Sequence, residues 1–155
     1  MEFQFRGFCE SRFGTETICV DGKNIVGDWF YGYYQGNNTI VGCVDVFTNK
    51  MAKRKVVPQT VGMSFEQTDK NGGLIHVGDI IELVTEDGEK ITIECKFGTV
   101  QRQIYENLVE ITGFYFERSN DGRKTFPIVN NYLGKHDTEI WEVIGTIFDV
   151  KEEEK

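Results

Sequence analysis

Short turn motifs cut this chain into brief runs: Asp21-Gly22, Gly36-Asn37-Asn38, Asn71-Gly72-Gly73, Glu86-Asp87-Gly88 and Asn120-Asp121-Gly122. Gly, with Asn or Asp beside it, supplies the positive φ that tight hairpin turns demand. Between these turns apolar and polar residues alternate. Phe3 and Phe5 oppose Gln4 and Arg6, Ile81 and Leu83 flank Glu82, and Ile91, Ile93 and Cys95 interleave with Thr92, Glu94 and Lys96. A period of two marks a strand with one buried and one wet face. Nowhere do apolar residues recur convincingly at helical spacing. Seventeen glycines against two prolines (Pro58 and Pro127) suit tight turns between ladders that need their N–H groups. The pattern predicts an all-β fold with little helix, and 155 residues can bury a real core.

Further strands are expected at 15–20, at the aromatic run 29–34, and at 39–47. Beyond the first hairpin of the second half they are expected at 109–116, 124–128 and 139–148, with a short helical turn within 130–138. Residues 48–55 are polar and basic and read as a connecting loop or a strand edge blunted by charge. They also mark the expected boundary. Residues 1–55 form a small N-terminal β subdomain, 56–150 a barrel-like, SH3-like C-terminal one packed against it, and 151–155 an acidic, solvated tail.

Charge supports that division. The chain carries −8; residues 1–60 hold six acids and seven bases, and residues 61–155 hold nineteen acids and ten bases. An acidic second half repels phosphate backbones, which disfavours general nucleic-acid binding. Cys9, Cys19, Cys43 and Cys95 form no C-x-x-C pair, and no apolar run is long enough to span a membrane. The start of the chain is too polar for a secretory signal. These readings place the protein in the cytoplasm, with reduced thiols.

Three segments resemble the YopX family of phage- and prophage-encoded proteins. One is Val56-Val57-Pro58-Gln59-Thr60-Val61-Gly62. The second, most specific, runs Thr68-Asp69-Lys70-Asn71-Gly72-Gly73-Leu74-Ile75-His76-Val77-Gly78-Asp79-Ile80-Ile81. The third is Glu142-Val143-Ile144-Gly145-Thr146-Ile147-Phe148. The aromatic run at 29–34 is similar to the family's aromatic-Tyr-Gly segment. Gly73, His76-Val77 and Thr146 depart from the family's usual residues. The resemblance implies a β-rich fold with a barrel-like portion and a bacterial host cytoplasm. It brings no catalytic residues. The residues it singles out, Asp69, Lys70, Asn71, Gly72, Gly78, Asp79, Glu142 and Gly145, read as makers of turns and strand entries.

No pattern in the chain assembles a catalytic site. His76 with Asp79, and His136 with Asp137 and Glu139, lack the paired spacing of a zinc site. No Cys–His pair carries a nucleophile signature, no phosphate-cradling loop precedes a helix, and the carboxylates at 82–94 suit the wet side of one hairpin. Neither metal nor cofactor is expected. Two features point to binding: Trp29, Tyr31 and Tyr33, which share one face of a strand, and Lys50, Lys53, Arg54 and Lys55. The expected function is a non-catalytic phage or prophage accessory that binds a host or phage protein, with self-association as an option. One variant is an acidic imitator of nucleic acid. A nucleic-acid module using the basic segment beside the aromatic strand is the alternative, and a small hydrolase is the third class.

Overall fold

The computed structural model describes residues 4–45, 47–125 and 140–150. They form an all-β protein whose sheets are antiparallel, with a 3₁₀ turn at Pro58–Thr60. Among the described residues no helix is long and apolar enough to cross a membrane.

The chain divides into two compact units, Met1–Glu66 with Thr146–Lys155, and Gln67–Gly145. The division falls later than the expected boundary at 55/56, and residues 146–155 return to the first unit. The reason is pairing. Residues 50–60 stay bonded to the front strands, and backbone bonds tie Phe148 to Cys19 (2.8 Å) and bridge Ile18 with Asp149.

The first unit holds β1 (Phe5–Glu10), β2 (Glu16–Val20), β3 (Lys23–Gly36), β4 (Thr39–Asp45) and β5 (Lys50–Lys55), with β6 (Gly62–Thr68) running into the next unit. The order is β5-β4-β3-β1-β6, and β2 pairs with the start of β3. The hairpin turns are those the sequence announces. Asp21 and Gly22 have φ of 52° and 78°, and Asn37 and Asn38 have 52° and 57°. Positive φ at both central residues matches the right-handed twist of the flanking strands. Phe8, Ile18 and Val20 form the buried core, joined by Ile25, Trp29, Val57 and Phe148. On the opposite face Gly7 makes room for a second patch: a Cβ there would lie 2.7 Å from Val56 Cγ2. Ile40, wholly buried, fills the same space.

The second unit holds β7 (Leu74–His76), β8 (Asp79–Val84), β9 (Lys90–Ile104), β10 (Asn107–Arg118), β11 (Lys124–Thr125) and most of β12 (Glu142–Thr146). Strands β11-β10-β9-β8-β12 form one ladder, and the described pairings do not close it into a barrel. Its core gathers Ile81, Ile93, Cys95, Phe116 and Trp141. The Phe116 and Trp141 rings meet edge-on at 5.0 Å. Strand β8 pairs with β9 only over Ile80↔Glu94 to Val84↔Lys90, whereas β9 and β10 pair from Ile93↔Arg118 to Ile104↔Asn107. Strand β9 therefore extends well past its sequence-expected end near Lys96, through pairing with β10. The expected helical turn within 130–138 and the strand residues 126–128 lie outside the described residues.

Candidate binding groove and basic edge

Strand β3 carries the aromatic run, and its neighbours decide what each ring does. Trp29 pairs with Phe8 across β1, Tyr31 with Arg6, and Tyr33 with Val41 across β4. At the first position the face is core. Phe8 and Trp29 meet edge-on at 5.4 Å, Phe148 packs at 6.2 Å, and the buried Arg6 guanidinium lies 4.6 Å from the Trp29 ring centre. Farther along the strand the same face opens. Tyr31 and Tyr33 are 46% and 45% exposed. The sequence grouping of Trp29 with Tyr31 and Tyr33 is right in direction, but Trp29 is half-buried against the core and the tyrosines are the more exposed.

A groove of about 510 Å³ lies along this open stretch, lined by Gln4, Tyr31, Tyr33, Val41, Cys43 and Met51 with the backbone of Gly32 and Gly42. The two glycines let strands approach closely. A Cβ on Gly32 would sit 2.1 Å from the Val41 carbonyl oxygen, and one on Gly42 would sit 2.3 Å from that of Tyr31. Cys43 is an exposed free thiol, and Met51, opposite it in register, is 50% exposed. The groove is mostly aromatic and aliphatic with a few polar tips, the composition of a recognition surface.

Lys50, Lys53, Arg54 and Lys55 lie in a strand, which corrects the loop reading and upholds the charged-edge one. The alternation signal was missing because β5 is exposed throughout except at half-buried Ala52. Lys53 pairs with Val41 and so stands on the groove side, two residues from Met51. Arg54 turns to the other face, where its guanidinium lies 5.1 Å from the Phe30 ring centre. It also helps hold Asp28 below the usual carboxylate range, after the larger effects of hydrogen bonds from the Thr15 backbone and hydroxyl. Lys55 Nζ donates to the Asn37 carbonyl at 2.9 Å. Met51 and Cys43, which contribute to the groove, were not singled out by sequence. Their signal was present in the pairing of 39–45 with 50–55, which only a strand assignment for β5 would have revealed.

The motif residues of the 68–73 turn and the start of β12 gather into one clasp. Asp69 is buried. Its Oδ1 accepts the N–H groups of Asn71 and Gly73 at 3.0 Å each, and its Oδ2 accepts that of Val143 at 3.0 Å. The Lys70 N–H donates to the Trp141 carbonyl at 2.8 Å, and the Lys70 ammonium pairs with Glu142. Gly72 and Gly78 have φ of 82° and 96°. Asp79 is buried, with Oδ2 accepting the His76 N–H at 2.7 Å, so both residues serve the entry into β8. Gly145 lies half-buried within β12. His136, Asp137 and Glu139 lie outside the described residues. Thr60, from the first motif segment, accepts the Phe8 N–H at 2.8 Å and donates to the Val57 carbonyl at 2.6 Å.

No family model, curated protein or solved structure matches the chain.

Proposed function

We propose that this protein is a non-catalytic binding module whose first unit receives a partner protein in the groove beside β5. The observation that carries this reading is the groove itself: half-exposed Tyr31, Tyr33 and Met51 surround a concavity of about 510 Å³ on an otherwise core-forming sheet face. Tyrosines offer large contact area with a polar tip at low entropic cost, which favours them in interfaces. The motif residues support the same reading from the other side, since both oxygens of Asp69, the Thr60 hydroxyl and Oδ2 of Asp79 accept backbone N–H groups. The resemblance to the YopX family adds a setting: a phage or prophage accessory acting on a protein in the cytoplasm of a bacterial host.

Cys43 offers a direct test, because its thiol lines the groove. A photo-crosslinker placed on it, with Cys9 and Cys19 changed to Ser, should capture defined partner peptides. Tyr31→Ala/Tyr33→Ala should cut that capture roughly tenfold, the usual effect of truncating central interface tyrosines. Capture that ignores both tyrosines counts against the groove as the site.

A second reading is favoured by one observation. Lys53 stands on the same face as the exposed tyrosines, the combination that stacks bases and grips phosphates in single-strand binders. The net charge of −8 opposes it. A gel shift with single-stranded DNA and RNA at low salt decides, and a shift abolished by Lys53→Ala would establish it.

A further inference from the structure

We infer that β5 is a docking edge to which an acidic, extended segment of the partner adds as a further strand. The inference rests on the protein-binding reading above and names the chemistry of the partner.

Strand β5 is the outermost strand of its sheet, and among the described residues none pairs with its far side. In an antiparallel ladder every second residue of such a strand directs its N–H and C=O outward. Six residues is the length of an ordinary strand, enough to template one more. An arriving peptide backbone continues this ladder; a nucleic-acid backbone has no donors and acceptors at that spacing. The row of peptide groups therefore favours a polypeptide.

Charge selects which polypeptide. Four cations stand within six residues in a protein of 25 acids and 17 bases. They occupy both faces of the edge: Lys53 and Lys55 on the side of Met51, Arg54 and Lys50 on the other, as the register with β4 dictates. Among the described side chains no ion pair reaches Lys53, Arg54 or Lys55. A second copy of β5 laid alongside would set like charges opposite one another, which destabilises a cross-strand pair. The lysines that prevent self-pairing are the ones an acidic strand would neutralise. Such a strand sends alternate side chains to the groove side, where apolar residues meet Met51 and carboxylates meet Lys53 and Lys55. Binding by strand addition with side-chain selection follows the general mode of peptide recognition at exposed sheet edges.

The test is fluorescence anisotropy of the full chain with a labelled peptide of about six residues, Glu-Thr-Glu-Thr-Val-Thr, which presents Glu, Glu and Val on one face to meet Lys55, Lys53 and Met51. Saturable binding that weakens with salt is expected. K53E/K55E should weaken it roughly tenfold or more, and Lys53→Gln/Lys55→Gln should do so to a smaller extent while leaving the fold less perturbed. A peptide of the same charge with a central Pro, which lacks the donor N–H, should lose binding. Equal affinity for the Pro peptide overturns strand addition. So does absence of binding at low salt, or an oligothymidylate that binds as tightly and is lost in the same variants. If the peptide fails while Cys43 still crosslinks a partner in a tyrosine-dependent manner, this inference falls alone. If both fail, the protein-binding reading falls with it.

Discussion

At the scale of single residues, cross-strand pairing sets the charge chemistry. Glu94 and Glu117 are direct partners on β9 and β10, an arrangement that repels. Lys96 bonds to Glu117, and Lys124 approaches the same carboxylate at 3.3 Å. The hydrogen bond from Lys96 holds the Glu117 carboxyl below its ordinary value, whereas burial pushes that of Glu94 up. The two therefore act on stability with opposite sign. The Glu117 contribution is present at neutral pH and is lost as pH falls through its lowered folded-state value. Glu94 costs stability as pH rises above the ordinary carboxylate value, because its folded form keeps the proton longer. Glu117→Gln should lower the urea midpoint at pH 7 by an amount worth at most about 1 kcal/mol, since the pair is partly exposed, and should flatten the loss of stability in acid. Glu94→Gln should leave stability at pH 7 unchanged or raised. Urea melts of both variants from pH 3 to pH 7 check the signs; parallel profiles would refute the assignment.

Among elements, the clasp between the 68–73 turn and β12 is the most exacting. Asp69 serves three backbone N–H groups, two within its own turn and one on β12. Truncating it leaves these part-buried donors without their partner, at about 1–3 kcal/mol for each one that water cannot reach. Asp69→Ala should therefore lower the unfolding midpoint sharply, and Lys70→Ala, which breaks only an exposed ion pair with Glu142, should change it far less. Equal effects in thermal melts would show that the carboxylate does not organise the clasp. The turn was legible in sequence because Asn71, Gly72 and Gly73 announce it; the reach of Asp69 to Val143, 74 residues away, was not. Other elements divide along the same line. Hairpins closed by Asp21-Gly22 and Asn37-Asn38 could be read from local chemistry, as could the buried face of β8 and the near half of β9. Strand β5 could not, because an edge exposed on both faces has no alternation to show. The far half of β9 was hidden differently, although its partner β10 was expected over 109–116. Past the Phe97–Phe114 contact at 5.1 Å, the face continuous with the core turns polar with Thr99 and Thr112, while Val100, Ile111 and Val109 fall on the other face. A pattern that changes sides part-way does not sum to a clean period. The groove was half legible: Tyr31 and Tyr33 came from composition, but Met51 and Cys43 join them only through the register of β4 with β5.

For the molecule as a whole, the second unit is an insertion whose two ends are tied to each other. The Asp69–Val143 and Lys70–Trp141 bonds join the entering and leaving chain within that unit. Residues 67–145 expressed alone should therefore give a cooperatively melting β protein. The first unit should tolerate a short Gly-Ser linker in their place, because inserted loops carry only a modest closure entropy. Circular dichroism and urea titration of both pieces test this; an unfolded 67–145 fragment would show that the insertion depends on its host unit.

Order of completion follows from the same threading. Phe148 packs on Trp29 and bonds to Cys19, so the core of the groove-bearing unit gains that wall only after residues 67–145 have been made. A chain cut after residue 145 would hold every residue of the second unit, while the sheet that carries the groove would stand without Phe148 behind Trp29.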